Sequence, residues 1–120
     1  MTKIQDNKQY DLEERTCLFA KKCRIFVSKL PKTISNIEDG KQLIRSSGSV
    51  GANYIEANEA LSKKDFIVRI KISRKESKES NYWLRLLNIN NRDLENERQE
   101  LINESTELMK IFSSIMRKSE

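Results

Sequence analysis

The stretch Gln42-Leu43-Ile44-Arg45-Ser46-Ser47-Gly48-Ser49-Val50-Gly51-Ala52-Asn53-Tyr54-Ile55-Glu56-Ala57 decides how this chain folds. By propensity its centre, Ser46 to Gly51, is a loop, because each glycine inside a helix costs about 1 kcal/mol relative to alanine. The spacing of the surrounding residues says otherwise. Leu43, Ser47, Val50, Tyr54, Ala57 and Leu61 step by four, three, four, three and four, which is the period of one helix face. The stretch is therefore read as one uninterrupted helix, with a small-residue notch where a neighbouring helix comes close. The alternative is a Gly-x-x-Gly loop from Gly48 to Gly51 that clamps a nucleic-acid backbone, as in KH domains. That module needs flanking strands, and none is visible in the sequence.

The same stepping extends in both directions. Upstream, Leu12, Thr16, Phe19, Cys23, Phe26 and Leu30 draw a seam down a helix over residues 11–30, which Pro31 stops. Asp11, Glu13 and Glu14 sit at its expected N-terminal end, where the helix dipole favours negative charge. A polar connection leads to the second helix, over residues 39–61. Ser62 then reads as an N-cap with Asp65 as a capping-box-like acid, opening a helix over residues 63–88. Phe66, Ile70, Ser73, Ser77, Leu84 and Leu87 lie on its buried side. A polar turn from Asn88 to Asp93 precedes a fourth helix over residues 92–117, carrying Leu94, Leu101, Ser105, Leu108, Phe112 and Ile115. Four helices joined by short links predict an all-α, up-down-up-down antiparallel four-helix bundle, one domain over residues 1–120. Serines at several seam positions predict close packing and a slim core.

Composition agrees with a helical chain: 120 residues hold only 3 Gly and 1 Pro, too little turn material for an all-β fold. Cys17 and Cys23, six positions apart, point in well-separated directions on a helix, so a local disulfide is not expected. Two unpaired thiols, no apolar run at the start and no segment near the ~20 apolar residues of a membrane span predict a cytoplasmic, soluble protein. His is absent, which removes the commonest general base and metal ligand. Gly-rich nucleotide-binding signatures are missing too, and neither cysteine has a His to activate it. Glu56, Glu59, Glu76 and Glu79 form two i, i+3 pairs on adjacent helices, but a di-iron bundle also takes Glu-x-x-His from two helices, all facing inward. Glu56 and Glu59 point away from the Leu43–Val50–Leu61 seam and are expected to pair with surface Arg and Lys. The reading is of a protein that is not an enzyme, with no catalytic residue, no cofactor and no metal site.

Two surface features suggest partners. Leu18 and Ile25 on the first helix, Ile44 and Ile55 on the second, and Val68, Ile72 and Trp83 on the third lie off their seams. Either they broaden the core, or they form second stripes that bury against another copy, since large exposed apolar patches are uncommon on soluble monomers. The second feature is charge. Lys and Arg total 23 against 18 Asp and Glu, for a formal net charge of +5. Lys64, Lys71, Lys78 and Arg85 recur every seven residues on the third helix with Lys75 between them, and all five fall within roughly 80° of arc. Tyr82 shares that arc. A row of cations suits nucleic-acid phosphates, and an aromatic ring beside it suits a base or a sugar. Lys21, Lys22, Arg24, Lys29 and Lys32 add a second basic region near the end of the first helix.

The run from Gln42 to Ala57, followed by Asp65-Phe66-Ile67, Lys75-Glu76, Glu79-Ser80 and Tyr82-Trp83-Leu84 in order and spacing, resembles a bacterial four-helix bundle family. These are the proteins first met as reading frames in intervening sequences of 23S ribosomal RNA genes. The resemblance covers about residues 12 to 115, and some members look related to the accessory proteins of diversity-generating retroelements. It implies a ring-like homo-oligomer, a pentamer by preference, with a nucleic-acid connection. It also marks Arg45, Lys75, Glu76, Tyr82 and Trp83 as pattern positions of the family. The expected function is a non-enzymatic oligomeric adaptor that binds RNA or DNA through the basic face. The alternative is a protein–protein scaffold, such as a partner of a reverse transcriptase or other nucleic-acid enzyme, without nucleic-acid contact of its own.

Overall fold

The computed structural model describes residues 2–120, with side chains from Asp11 onward. Four helices follow one another: α1 (Thr2–Ser28), α2 (Ile34–Asn58), α3 (Lys63–Leu86) and α4 (Arg92–Ser119). Each packs on its neighbour in sequence, and α4 closes the ring against α1. This is the predicted antiparallel bundle. No helix is long and apolar enough, among the described residues, to cross a membrane.

Helix α2 runs unbroken through Ser46–Gly51, and the reason lies in its neighbours. A Cβ on Gly51 would stand 2.7 Å from Thr16 Oγ1 and 3.1 Å from Thr16 Cβ, so α1 and α2 close together only over a bare Cα. The conformational cost of a helical glycine is thereby offset by packing that no larger residue permits. On the opposite side of α2, serines do the same work against α3. Ser46 Oγ meets Ser80 Oγ at 2.9 Å, and Ser73 Oγ donates to the Val50 carbonyl at 2.9 Å. Ser77 and Ser80 return their hydroxyls to carbonyls four residues back in their own helix. These hydroxyls are fully buried, and leaving one without a partner would cost about 1–3 kcal/mol. A Gly-x-x-Gly clamp at Gly48–Gly51 is excluded, since both glycines are helical and no strand flanks them.

The seams of α1 and α2 are buried as read, from Leu12 through Leu30 and from Leu43 through Ala57, around Phe19, Phe26, Leu43, Val50, Ile70, Leu84, Leu108 and Phe112. Cys23 is inside this core. Burial pushes its thiol up to about 12, against the smaller opposing effect of a hydrogen bond with Ser47, so it stays protonated at neutral pH.

Several boundaries and residues differ from the expectation. Leu61 is not the end of the α2 seam. It is fully exposed, because α2 stops at Asn58 and residues 59–62 are needed to turn the chain back. Helix α2 also begins at residue 34 instead of 39, because Thr33 Oγ1 accepts the Asn36 amide at 3.1 Å and caps it there. Helix α1 starts at Thr2, so Asp11, Glu13 and Glu14 lie inside it and not in its first turn. Ser62 does cap α3 by accepting the Asp65 amide, but among the described residues Asp65 returns no bond, so only half of a capping box forms. Helix α3 ends at Leu86. Arg98 of α4 donates to the Leu84 and Leu87 carbonyls at 3.2 and 2.6 Å and satisfies that end. On α4, Met116 takes the buried place expected of Ile115, which is only partly covered.

One buried amide ties the links at this end together. Asn36 Nδ2 donates to the carbonyls of Pro31 and Asn88, and its Oδ1 accepts the Asn88 amide at 2.8 Å. The α1–α2 and α3–α4 connections are thus held by a single side chain.

The glycine notch makes a paired prediction. Gly51→Ala drives a Cβ into Thr16 and is expected to destabilise the fold by about 1–3 kcal/mol, the range for overpacking. Gly48→Ala meets only the far end of the flexible Arg24 side chain, at 3.3 Å, and is expected to be neutral or stabilising by up to about 1 kcal/mol. Urea unfolding of the two variants, monitored by circular dichroism, checks both. Equal midpoints would mean that α1 and α2 do not need the notch.

Candidate nucleic-acid interface

Helix α3 carries eight Lys or Arg and three Asp or Glu, a net +5. The whole chain has a formal net charge of +5, so everything outside α3 sums to neutral. Helix α3 alone thus carries a net charge equal to that of the whole chain, while the basic end of α1 is balanced by acids elsewhere.

What becomes of the acids on α3 depends on α2. Arg45 reaches across from α2 to Glu76 at 3.3 Å and to Glu79 at 3.0 Å. Glu76 is buried and Arg45 is half exposed, so the guanidinium serves as a lid over the carboxylate. This draws two of the three α3 acids toward α2. It also deprives Lys75 of Glu79, which would otherwise be its natural i, i+4 partner on the helix surface. Lys64, Lys71, Lys75, Lys78 and Arg85 are all exposed, and among the described residues none takes part in an ion pair. Between Lys64 and Arg85 the row extends about 32 Å at 1.5 Å per residue. Tyr82 stands within it, 52% exposed, with its ring edge-on to Trp83 (centroids 5.2 Å apart, planes at 71°). Trp83 itself packs against the core. Its indole Nε1 is buried with no hydrogen-bond partner among the described residues.

The second basic region does not join this row. Lys21, Lys22, Arg24, Lys29 and Lys32 are exposed on or just after α1, which sits diagonally across the bundle and does not contact α3. Two of its members are engaged: Lys29 pairs with Glu97 of α4 at 3.2 Å, and Arg24 folds back onto the Ala20 carbonyl.

The off-seam hydrophobes separate into distinct places. Leu18 and Ile25 are half exposed and line a groove between α1 and α4, floored by Phe19 and Leu101. Arg15–Glu104 at 2.7 Å and Lys29–Glu97 brace the two helices across it. Ile55 and Val68 are also half exposed, with Ile72 partly buried. They lie on the opposite flank, where the Arg69–Asn53 and Ser73–Val50 bonds set the α2–α3 register. Ile44 lines a shallow pocket on the α1–α2 side with Val27 and Ile37. A broad core accounts for Trp83 and leaves Leu18, Ile25, Ile55 and Val68 in solvent.

Glu56 and Glu59, expected to pair with surface cations, form no ion pair among the described residues. Of the four glutamates Glu56, Glu59, Glu76 and Glu79, the last two pair across helices, because Arg45 comes from the helix packed closest to them. No group of three or more His, Cys, Asp or Glu side chains is placed to hold a metal ion among the described residues.

A protein-family model described as 23S rRNA-intervening sequence protein matches residues 8–114. Among solved structures, the chain is similar to a protein of unknown function from the S23 ribosomal protein family of Bacteroides thetaiotaomicron. The two are 31% identical with a TM-score of 0.77, and the match covers 92% of this chain and 98% of the other. No curated protein matches the chain.

The Arg45 clamp generates a stability prediction. Arg45→Met strands the buried Glu76 carboxylate and is expected to cost about 1–2 kcal/mol, less than the ~3–5 kcal/mol of a fully buried pair because Arg45 is half solvated. Adding Glu76→Leu should recover most of the loss. A double variant as unstable as the single one would show that the carboxylate is not the source of the penalty. Thermal unfolding of both variants beside the wild type makes the comparison.

Proposed function

We propose, from the premise that the chain belongs to the 23S rRNA-intervening sequence protein family, that it is a non-enzymatic oligomeric adaptor which holds RNA or DNA through the outer face of α3. The observation that carries this reading is the placement of the entire net charge on α3, with Lys64, Lys71, Lys75, Lys78 and Arg85 exposed and unpaired there. Phosphates are fixed charges whose condensed counterions are released when cations replace them, so such a row gains affinity without reading sequence. The Arg45 clamp supports the reading, because it keeps Glu76 and Glu79 from neutralising the row.

Assembly is the second part of the proposal. Among the exposed apolar side chains, two pairs lie on opposite flanks, Leu18 and Ile25 beside α4, and Ile55 and Val68 on the α2–α3 side. Two unlike patches on opposite sides favour a head-to-tail contact, which closes into a ring when the rotation per subunit permits. The family resemblance favours five subunits. A ring repeats the α3 row around its circumference and multiplies a weak contact into an avid one. The groove between α1 and α4 also favours a second reading, in which it receives a partner protein such as a nucleic-acid enzyme and the chain has no nucleic-acid contact of its own.

Two measurements test this. A labelled oligonucleotide should bind with an affinity that falls steeply as salt rises, and Lys71→Glu, Lys75→Glu and Lys78→Glu together should weaken it by at least about a hundredfold. Binding indifferent to both would remove α3 as the contact surface. Light scattering should give a multimer whose mass drops to that of one chain in Leu18→Glu/Ile25→Glu and in Ile55→Glu/Val68→Glu. Mixing the two variants should restore a dimer through the single intact contact, whereas a mixture that stays monomeric would rule out the head-to-tail arrangement.

A further inference from the structure

We infer that the α3 face takes a single strand and not a duplex, with Tyr82 as the platform on which an unpaired base stacks; this rests on the reading of α3 as a nucleic-acid surface. Tyr82 is half exposed although it sits in the middle of the cationic arc, with Lys78 four residues before it and Arg85 three after. Lysine and arginine one turn away on either side place cations beside the aromatic ring. The ring makes a T-shaped contact with Trp83, which itself packs on the core. An edge-on contact leaves a ring face open, which is the surface a flat base requires. Leu86, 43% exposed, adds apolar area beside the row on the same helix. Sugars and base faces can use such area, whereas phosphates cannot.

A duplex offers this surface little. Its base faces are occupied by stacking, and only the backbone and the groove edges are presented. Tyr82 and Leu86 would then remain in water while the cations alone made contact.

The test compares one fluorescently labelled pyrimidine-rich strand, free and annealed to its complement, by anisotropy at fixed salt. The full-length protein is used as wild type, Tyr82→Ala, Tyr82→Phe and the Lys71→Glu/Lys75→Glu/Lys78→Glu variant. The single strand should bind at least about tenfold tighter than the duplex. Tyr82→Ala should weaken the single strand by about tenfold to a hundredfold, the contribution of one base–aromatic stack, and Tyr82→Phe should retain it. Duplex binding should be unmoved by either Tyr82 change. If duplex and single strand bind alike, or Tyr82→Ala matches wild type while the charge reversal abolishes binding, the single-strand inference falls and the phosphate-contact reading stands. If the wild type binds neither probe, both fall.

Discussion

The close approach of α2 to both of its neighbours is the constraint on which the other features of this bundle rest. Gly51 lets α1 in over Thr16, and the serines at 46, 73 and 80 let α3 in on the other side. Had either contact been filled with leucine, the helices would stand apart by the thickness of a side chain. Arg45 reaches Glu76 and Glu79 because α2 and α3 lie so close. That reach turns two of the three acids of α3 toward α2 and leaves the outward face to Lys64, Lys71, Lys75, Lys78 and Arg85. A packing choice inside the core thus sets the electrostatics of the surface. The chain of cause runs from small residues, to interhelical distance, to an ion pair, to an unneutralised row of cations.

Such a core is slim, and its stability is distributed unusually. Large side chains are few, with Phe19, Phe26 and Phe112 among the fully buried ones. Much of the α2–α3 contact is instead made by hydroxyls that each need a partner. Hydrogen bonds of this kind add only about 0.5–1.5 kcal/mol apiece, yet a missing one is expensive, so they specify geometry more than they add strength. The Asn36 tie between the two links at one end works in the same way. By contrast, α1 and α4 meet loosely and are braced from outside by Arg15–Glu104 and Lys29–Glu97, both partly solvated and therefore weak. The bundle is closed firmly on three sides and lightly on the fourth, where Leu18 and Ile25 wait uncovered.

Most of the fold was legible in the sequence because a helical period survives even where propensity argues against it. The run from Leu43 to Ala57 kept its register across two glycines, and register is what burial selects. Leu61 was misread for the same reason: it continues the period, but periodicity cannot show that the chain needs residues 59–62 to reverse direction. The start of α2 at Ile34 was hidden in a polar stretch where only Thr33 marks it, and a lone threonine is weak as a signal. The cationic row was legible from its seven-residue spacing. Its lack of partners was not, because whether Lys75 pairs with Glu79 depends on Arg45, thirty residues away in sequence and on another helix. The concentration of +5 on α3 is written in the sequence once the helix bounds are known.

The same concentration constrains how the protein could act. A chain whose charge was spread evenly would repel its own copies from every direction and attract polyanions to every side. Here the flank lined by Leu18 and Ile25 sets Glu97, Glu100 and Glu104 of α4 beside Arg15 and Lys22 of α1, so charge of a single sign does not confront an approaching copy there. The row on α3 lies at the opposite corner from α1, and Ile55, Val68 and Ile72 fall on the α2 side of that row. A contact made through them would set the cationic row of each copy along the margin of the joint. Assembly and nucleic-acid binding would then use adjoining strips of one helix pair, so occupying the first would fix the orientation of the second.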